Sequence, residues 1–476
     1  MAEIIKPEWA WQPYEPSDKN PWDIRKVGHL YRRAAFGATR DELQAGVKTG
    51  PEKLIDELLK GGKDQETFDA DTKHEADNIE KFNTGNLLAP WWLYRMVYGR
   101  HPLREKMTLF WHNHFATSNA KVQNAGYMLT QYRLLYAHAL GSFRTLLQDM
   151  SKDPAMLVWL DGRESKKGNP NENYARELME LFSLGIGNYS EQDIREAARA
   201  FTGWQIEEGK GVFIKAQHDD SEKEVFGKKS NFDGTGIVDL CLEQKSAPYF
   251  IIGKLYRYLI SETAPATPEL LEPLAQSFRK SGYDSGALVR TVLRSNLFFA
   301  SQTYRSRIKQ PVTFALGIIR PFRVLEESDP GKKKGRIGTV NLAAALQGLG
   351  QTLFQPPSVK GWDGGQTWLN GQTLLFRQNL ALALTSTVDA QFGDRIDPAD
   401  LADKYARKSD EELVDLFLEV YLQGDVPSAA RDKLVGYLKR ARPDQMPVYY
   451  PEEEKAKHRI RALCHLVLTL PEFQLD

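Results

Sequence analysis

Apolar residues recur at intervals of three and four along most of the chain, which is the spacing of one face of an α-helix. The segment 39–60 shows this clearly: Thr39 caps its start, Gly61 stops it, and the stripe between them is Leu43, Val47, Leu54, Ile55, Leu58 and Leu59. The same period predicts helices over residues 23–36, 90–115, 124–150, 239–261, 268–281, 285–294, 309–325 and 341–350. We therefore predict a mainly α fold, a multi-helix globular array.

The helical period gives way to strand-like alternation at one place. The sequences Trp-Gln-Ile at 204–206 and Val-Phe-Ile at 212–214 flank the turn-prone sequence Glu-Gly-Lys-Gly at 208–211. This pattern predicts one small β-hairpin, at about residues 204–216, inserted between helices.

Breaks in the pattern suggest three regions. Residues 1–22 are rich in proline and tryptophan and predict an extended N-terminal arm. Residues 23–400 form the main helical domain, which contains the hairpin and an irregular Trp/Gly loop at 355–371. Residues 401–476 predict three helices, at 409–423, 428–440 and 452–470, packed on the main domain.

Composition argues against several classes of function. Lys plus Arg and Asp plus Glu both number 63, so the chain lacks the basic excess that non-specific nucleic-acid binding needs. No apolar run reaches the length of a membrane span, and no signal peptide is recognisable, which favours the cytoplasm. The two cysteines, Cys241 and Cys464, lie in no CxxC pattern and are expected to be buried thiols.

Two histidines one residue apart form the first candidate site. His112 and His114 would point to the same side of a strand but about 200° apart on a helix. If the helix ends near Asn113, both imidazoles can converge on a divalent metal or on a substrate. In the alternative, His112 packs beside Trp111 and His114 caps carbonyl groups at the helix end.

The second candidate is an amphipathic helix at 171–185. Its polar side carries Glu172, Asn173, Arg176, Glu177 and Glu180, and its other side is apolar. One interpretation is a surface helix with ion pairs between neighbouring turns. The other is a row of carboxylates facing a cleft, where they act as acid and base or bind a metal, with Arg176 binding an anion.

Two loops complete the candidates. His218 and Asp219, just after the hairpin, are either a general base with its orienting group or a solvated turn. The loop at 355–371 carries Lys360, Trp362 and Trp368. Such a loop either lines a ligand site, with tryptophan faces suited to sugar rings, or buries its own tryptophans as an Ω-loop.

Together these segments resemble a bacterial family known as domain of unknown function 1800 (DUF1800). The resemblance extends from about residue 25 to the end of the chain. It rests on HLYRRAAFG at 29–37, FWHNHF at 110–115, NENYARELMELFSLGIG at 171–187, FTGW at 201–204, His218-Asp219 with Lys223 and Gly227, GQTLFQPPSVKGWDGGQTWLN at 350–370, and LPEFQ near the end.

The resemblance implies an architecture and a set of residues, because the family has no assigned reaction. It favours a buried or cleft-lining network for the glutamate helix, since a solvated surface helix has no reason to be a family hallmark. It also implies a partner, because relatives are often encoded beside a sulfatase-like companion protein that carries an export signal. Co-export with that companion is then an alternative to the cytoplasm. Ser183 stands where many relatives have Thr, which keeps the hydroxyl.

The resulting hypothesis is a hydrolase-like enzyme with a His/Glu/Arg cleft. Its metal-assisted version uses His112, His114 and a carboxylate as ligands, and its carbohydrate version uses two glutamates as acid and base. The alternative is a non-catalytic binding or maturation partner of the sulfatase-like protein. The enzyme hypothesis requires a histidine close to Glu172, Glu177 or His218, and a substantially buried Arg176.

Overall fold

Helices make up most of the molecule, as the periodicity predicts. The computed structural model describes residues 5–328, 338–386, 392, 396–440 and 452–476. Its α-helices have the following bounds: Pro7–Ala10, Ile24–Ala34, Arg40–Thr49, Pro51–Lys60, Gln65–Phe82, Leu88–Tyr98, Pro102–His114, Asn119–Val122, Ala125–Ala137, Phe143–Met150, Pro154–Trp159, Asn173–Glu177, Glu191–Ala200, Gly234–Glu243, Ser246–Leu259, Pro268–Lys280, Ser285–Arg294, Pro311–Ile319, Arg323–Ser328, Thr339–Gly348, Gly371–Thr385, Pro398–Lys404, Asp410–Leu422, Ser428–Arg440 and Glu452–Leu468.

Several segments predicted as single long helices are in fact two shorter ones. The segment 39–60 divides at Gly50, whose φ of 83° ends one helix, and Pro51 begins the next. The segment 90–115 divides in the same way, with Pro102 in the first turn of the second helix. Proline has no N–H and is tolerated only in the first turn of a helix, so a new helix begins at each of these prolines. The apolar period continues across the break, which is why the sequence pattern shows one segment.

The predicted hairpin is present. Strands Trp204–Glu207 and Lys210–Phe213 pair antiparallel, with Trp204 opposite Phe213, and Glu208 and Gly209 turn the chain with positive φ angles. A second antiparallel pair, Lys223–Val225 with Lys228–Ser230, was not predicted. These strands are three residues long and mostly charged, so they carry no alternation to recognise. Their turn, Phe226-Gly227, again has two positive φ angles.

Two apolar cores hold the helices together. The first extends from Ala10 to Phe299 along the chain, and the second combines helix Leu88–Tyr98 with helices beyond residue 311, including those near the C-terminus. Helix Pro102–His114 contributes to both, with Phe110 in the first core and Leu109 in the second. Its C-terminal end therefore lies where the two cores meet.

The N-terminal arm packs on this framework. The Trp11 indole donates to the Leu270 carbonyl at 2.6 Å, and the Tyr14 N–H donates to the Arg294 carbonyl at 2.7 Å. Cys241 and Cys464 are buried free thiols, as expected. Within the described residues, no helix combines the length and apolar composition that crossing a bilayer requires.

Candidate functional site

A cleft of about 370 Å³ lies at the end of helix Pro102–His114. We call it the tryptophan cleft, because Trp362 and Trp368 form part of its wall. His114 and Lys360, which the sequence also marks as candidates, line the same cleft. The fold thus brings together four candidates that are up to 254 residues apart in the sequence. A volume of this size is within the range of small-molecule sites.

The tryptophan loop, residues 355–370, is fastened to the helix end through Asn113. Asn113 Oδ1 accepts from the Trp362 N–H at 2.7 Å, and its Nδ2 donates to the Trp362 carbonyl at 3.4 Å. Gly361 has a φ of 80°, and a Cβ there would lie 2.2 Å from Asn113 Oδ1. Glycine is therefore required at this position. Trp362 and Trp368 are only 8% and 7% exposed, so they act as walls and not as open platforms.

His114 is bound on both of its nitrogens. Nε2 donates to the Phe182 carbonyl at 3.1 Å, and Nδ1 accepts from Lys254 Nζ at 3.1 Å. Burial, and then the charge of Lys254, hold the pKa of His114 well below its usual range. The ring is consequently neutral, with its lone pair directed at the lysine.

Lys254 lies in the wall of the cleft and was missed by the sequence analysis. Its Nζ donates to His114 and to the Leu181 carbonyl, the latter at 2.9 Å. Burial lowers the pKa of Lys254 from 10.5 to about 8. A neutral amine has two hydrogens, which suit these two acceptors and leave its lone pair free to take a proton.

His112 serves a different purpose from His114. Its Nε2 accepts from the Phe354 N–H at 3.1 Å, and its ring packs among Trp92, Phe354 and Trp362. Burial lowers the pKa of His112 to about 3. The two histidines thus face separate partners. Across the described part of the chain, no group of three or more His, Cys, Asp or Glu side chains is placed to hold a metal ion.

The glutamate segment is not one regular α-helix. Residues Asn173–Glu177 are α-helical, and Leu178–Ser183 form a π-helical turn. The Leu184 N–H bonds the Met179 carbonyl five residues back, at 3.0 Å. The carbonyls of Leu181 and Phe182, near the end of this turn, are those that accept from Lys254 and His114. Short π-helical insertions of this kind occur often at functional sites.

Arg176 contradicts the expectation that it would be buried. Its side chain is 35% exposed and pairs with Glu172 at 3.2 Å and Glu191 at 2.8 Å. The hydrogen bond to Glu191 is the main reason that the pKa of Arg176 is raised. The prediction was wrong because its partners lie at the surface, where water already solvates the guanidinium. This end of the segment forms the helix-surface ion pairs of the alternative interpretation.

Glu177 is partly buried, and the electrostatic environment of its carboxyl connects the segment to the tryptophan loop. Burial, and then the charge of Glu180, raise the pKa of Glu177, while Arg176 and Lys360 oppose the shift. Lys360 belongs to the tryptophan loop, so the loop and this segment lie on the same side of the molecule. Helix Pro102–His114 joins them directly, since Asn113 binds the loop and His114 binds Phe182.

His218 and Asp219 lie outside the tryptophan cleft and connect the hairpin to helix Glu191–Ala200. His218 Nδ1 donates to the Thr202 carbonyl at 3.0 Å, and the Asp219 N–H donates to Thr202 Oγ1 at 2.8 Å. Asp219 accepts from Arg199 at 2.8 Å, and that guanidinium holds the pKa of the carboxyl well below its usual range. None of the residues Glu172, Arg176, Glu177, His218 and Asp219 lines the cleft.

Other charged residues of the cleft also escaped the sequence analysis. Arg307 pairs with Glu262 at 2.8 Å, and both side chains are about a tenth exposed. Arg257 and Tyr258 follow Lys254 by one helical turn. The sequence signal that could have identified Lys254 and Arg257 is their position within the otherwise mainly apolar helix Ser246–Leu259. In total the lining has four cations, Lys254, Arg257, Arg307 and Lys360, and two carboxylates, Glu262 and Asp363.

Comparison of the chain with curated proteins and with solved structures gives no match. A family model described as a protein of unknown function, DUF1800, matches residues 29–475. Since this match covers nearly the whole chain, the protein belongs to the DUF1800 family.

Proposed function

We propose that the protein is a hydrolase-like enzyme that binds an anionic substrate in the tryptophan cleft. The charge of the lining supports this, because four cations face two carboxylates and one of these, Glu262, is already paired with Arg307. Arginine is well suited to bind carboxylate, sulfate or phosphate groups through paired N–H donors. The tryptophan walls suit an apolar or ring-shaped part of the same molecule.

Lys254 is the observation that carries the proposal. Its two fixed acceptors, His114 Nδ1 and the Leu181 carbonyl, orient the nitrogen, and its pKa of about 8 leaves part of the population neutral near neutral pH. Such an amine can act as a general base. It takes a proton from water as the water oxygen bonds to the substrate, and the ammonium returns that proton to the leaving group.

The carbohydrate version of the hypothesis rests on Glu177. It is the carboxylate of the glutamate segment whose pKa responds to Lys360, a residue of the cleft. In our proposal Glu177 supports the site from beside the loop. His218 and Asp219 contribute by holding the hairpin in place.

The test uses para-nitrophenyl derivatives, two esters and two glycosides, that differ in charge. We expect the glucuronide, the sulfate or the phosphate to be hydrolysed, and the neutral glucoside to be left intact. Lys254→Met should reduce the rate by on the order of 10² to 10⁴. Lys167→Met, which removes an exposed lysine paired with Asp220, is the matched control and should retain the wild-type rate. The proposal fails if none of the three anionic compounds binds or reacts, or if Lys254→Met and Lys167→Met hydrolyse them at the same rate.

A second candidate function has its own support. Helix Gly371–Thr385 directly follows the tryptophan loop and exposes Leu374, Leu375, Phe376 and Leu382. Exposed apolar clusters of this kind mark protein interfaces. This favours the role of binding or maturation partner for a sulfatase-like companion. If Leu375→Ser abolishes co-purification with that companion and Lys254→Met does not, the protein acts as a partner through this helix.

A further inference from the structure

A second, much smaller cavity lies away from the tryptophan cleft. Its volume is about 20 Å³, and it lies between helices Ile24–Ala34, Pro311–Ile319 and Asp410–Leu422. A space of this size accepts one particle of the size of a water molecule or slightly larger. Sulfate, phosphate and organic anions are too large for it.

Two buried basic side chains line this cavity. Arg32 is 6% exposed and Lys309 is 3% exposed. Among the cavity-lining residues, all of which belong to the described part of the chain, there is no Asp or Glu. A buried cation is costly unless a compensating charge is close, so this lining is electrostatically incomplete by itself.

The hydrogen bonding of Arg32 is also incomplete. Its NH1 donates to Gln423 Oε1, but its Nε and NH2 atoms are buried and have no hydrogen-bond partner within the described structure. The face of the guanidinium packs on Tyr304, with 5.3 Å between Cζ and the ring centroid. Buried N–H groups of this kind normally have an acceptor. Arg32, which lines the cavity, thus has two donors that lack an acceptor.

Lys309 adds a second source of positive charge. Its Nζ lies 3.7 Å from the centroid of the Phe473 ring, which also lines the cavity. Burial, followed by repulsion from Arg32 and other arginines, lowers the pKa of Lys309 well below its usual range, and Asp476 opposes the shift. An added anion would stabilise the charged lysine.

Thr313 provides a neutral donor. Its Oγ1 accepts from the buried Lys106 Nζ at 3.0 Å, so its hydroxyl hydrogen is available to donate elsewhere. Thr313 lines the cavity together with Arg32 and Lys309. One permanent cation, one ammonium group and one hydroxyl thus surround a space for a single small particle.

We propose that this cavity is a binding site for a single halide ion, chloride in the cell, bound by Arg32, Lys309 and Thr313. Chloride fits the space, supplies the missing negative charge and accepts the unpaired N–H groups. Water would fill the same volume but would bring no negative charge to Arg32, the permanent cation; Lys309 already has the Asp476 carboxylate nearby. The proposal is independent of the function assigned to the tryptophan cleft.

Gly317 allows a test that does not require removal of a charged group. A Cβ at this position would lie 3.9 Å from Lys309 Nζ and 3.8 Å from both Phe36 and Phe473, which are ordinary contact distances. All of these residues line the cavity. Gly317→Ala should therefore fill part of the space without a clash, and alanine also favours the helix.

The experiment follows the melting temperature of the full chain while chloride replaces acetate at constant ionic strength. We expect a saturable rise of about 2 to 4 °C with chloride or bromide in the wild type. Gly317→Ala should melt at or above the wild-type temperature in acetate and show no halide effect. Lys309→Met should also lose the halide effect. Lys223→Met is the control, because Lys223 is also a buried basic side chain but neither lines the cavity nor contacts Arg32 or Lys309, and it should keep the effect.

Crystals soaked in bromide give the direct readout, an anomalous peak between Arg32 and Lys309. Equal melting curves in chloride and acetate, together with no bromide peak, would overturn the proposal and assign the cavity to water. A halide effect that survives in Gly317→Ala would also overturn it, because the ion would then bind elsewhere.

Discussion

Replacement of Lys254 by Met should change how the stability of the protein depends on pH. Folding lowers the pKa of this lysine from 10.5 to about 8, which corresponds to about 3 kcal/mol. Below pH 8 the folded and unfolded states both carry the proton, and the folded state bears the cost of burying the charge. Between pH 8 and 10.5 the unfolded chain binds the proton and the folded chain does not, so the free energy of unfolding of the wild type rises with pH. Lys254→Met lacks this rise.

The quantity to measure is therefore the difference in the free energy of unfolding, variant minus wild type, by urea denaturation from pH 7 to 11. It should fall by about 3 kcal/mol between pH 8 and 10.5 and be constant on either side. Lys167→Met should show no such fall in this window, because the neighbouring Asp220 raises the pKa of Lys167 above its usual value of 10.5. A flat difference for Lys254→Met would refute the lowered pKa, and with it the role of Lys254 as a base at neutral pH.

Three further changes test the site and its surroundings. Gly361→Ala should lower the free energy of unfolding by about 2 kcal/mol or more, because the position has a positive φ and a Cβ there would clash with Asn113. Urea denaturation measures this loss, and an unchanged stability would mean that Asn113 does not hold the loop as described. Arg176→Ala should cost less than about 1 kcal/mol at moderate salt, since its ion pairs are solvated; a larger loss would restore the buried network. Asp153 is the buried N-cap of helix Pro154–Trp159 and accepts from the Met156 N–H and from Gln131 Nε2, each at 2.8 Å. Burial raises the pKa of Asp153 from 3.8 to about 7, so its ionisation destabilises the folded state as pH rises through that window. The stability of Asp153→Asn relative to the wild type should therefore increase by about 4 kcal/mol from pH 4 to 7, and calorimetry that shows no increase would contradict this.

Regular features of the fold could be predicted because their signals are local. The hairpin predicted at 204–216 combines alternating strands with a glycine turn, and both signals lie within thirteen residues. The second hairpin has the same kind of turn at Phe226-Gly227 but short, mostly charged strands of three residues. Without alternation, its turn alone does not distinguish it from an ordinary loop.

The site was only partly predictable because its contacts are long-range. His114 and the tryptophan loop stood out by residue type, and the fold does bring them together. Lys254, 140 residues from His114, stood in an apolar helix with no motif around it. The prediction for Arg176 failed because it used only local neighbours. Glu172 and Glu180 suggested a buried network, whereas the shortest ion pair of Arg176 is with Glu191 on the next helix. Charge pattern alone does not reveal which side of a helix faces water.

The π-helical turn at Leu178–Ser183 makes this part of the chain sensitive to the number of its residues. A π turn accommodates about one residue more than an α-helical turn, so deletion of a single residue here would restore regular α-helical winding. In a regular α-helix the Gly185 N–H would bond the Leu181 carbonyl four residues back, whereas here it bonds the Met179 carbonyl at 3.1 Å. With regular winding the Leu181 carbonyl would have a backbone donor of its own and would no longer be left for Lys254, while the composition of the segment would barely change. Relatives that keep Lys254 and His114 should therefore conserve the length of this segment more strictly than its individual side chains.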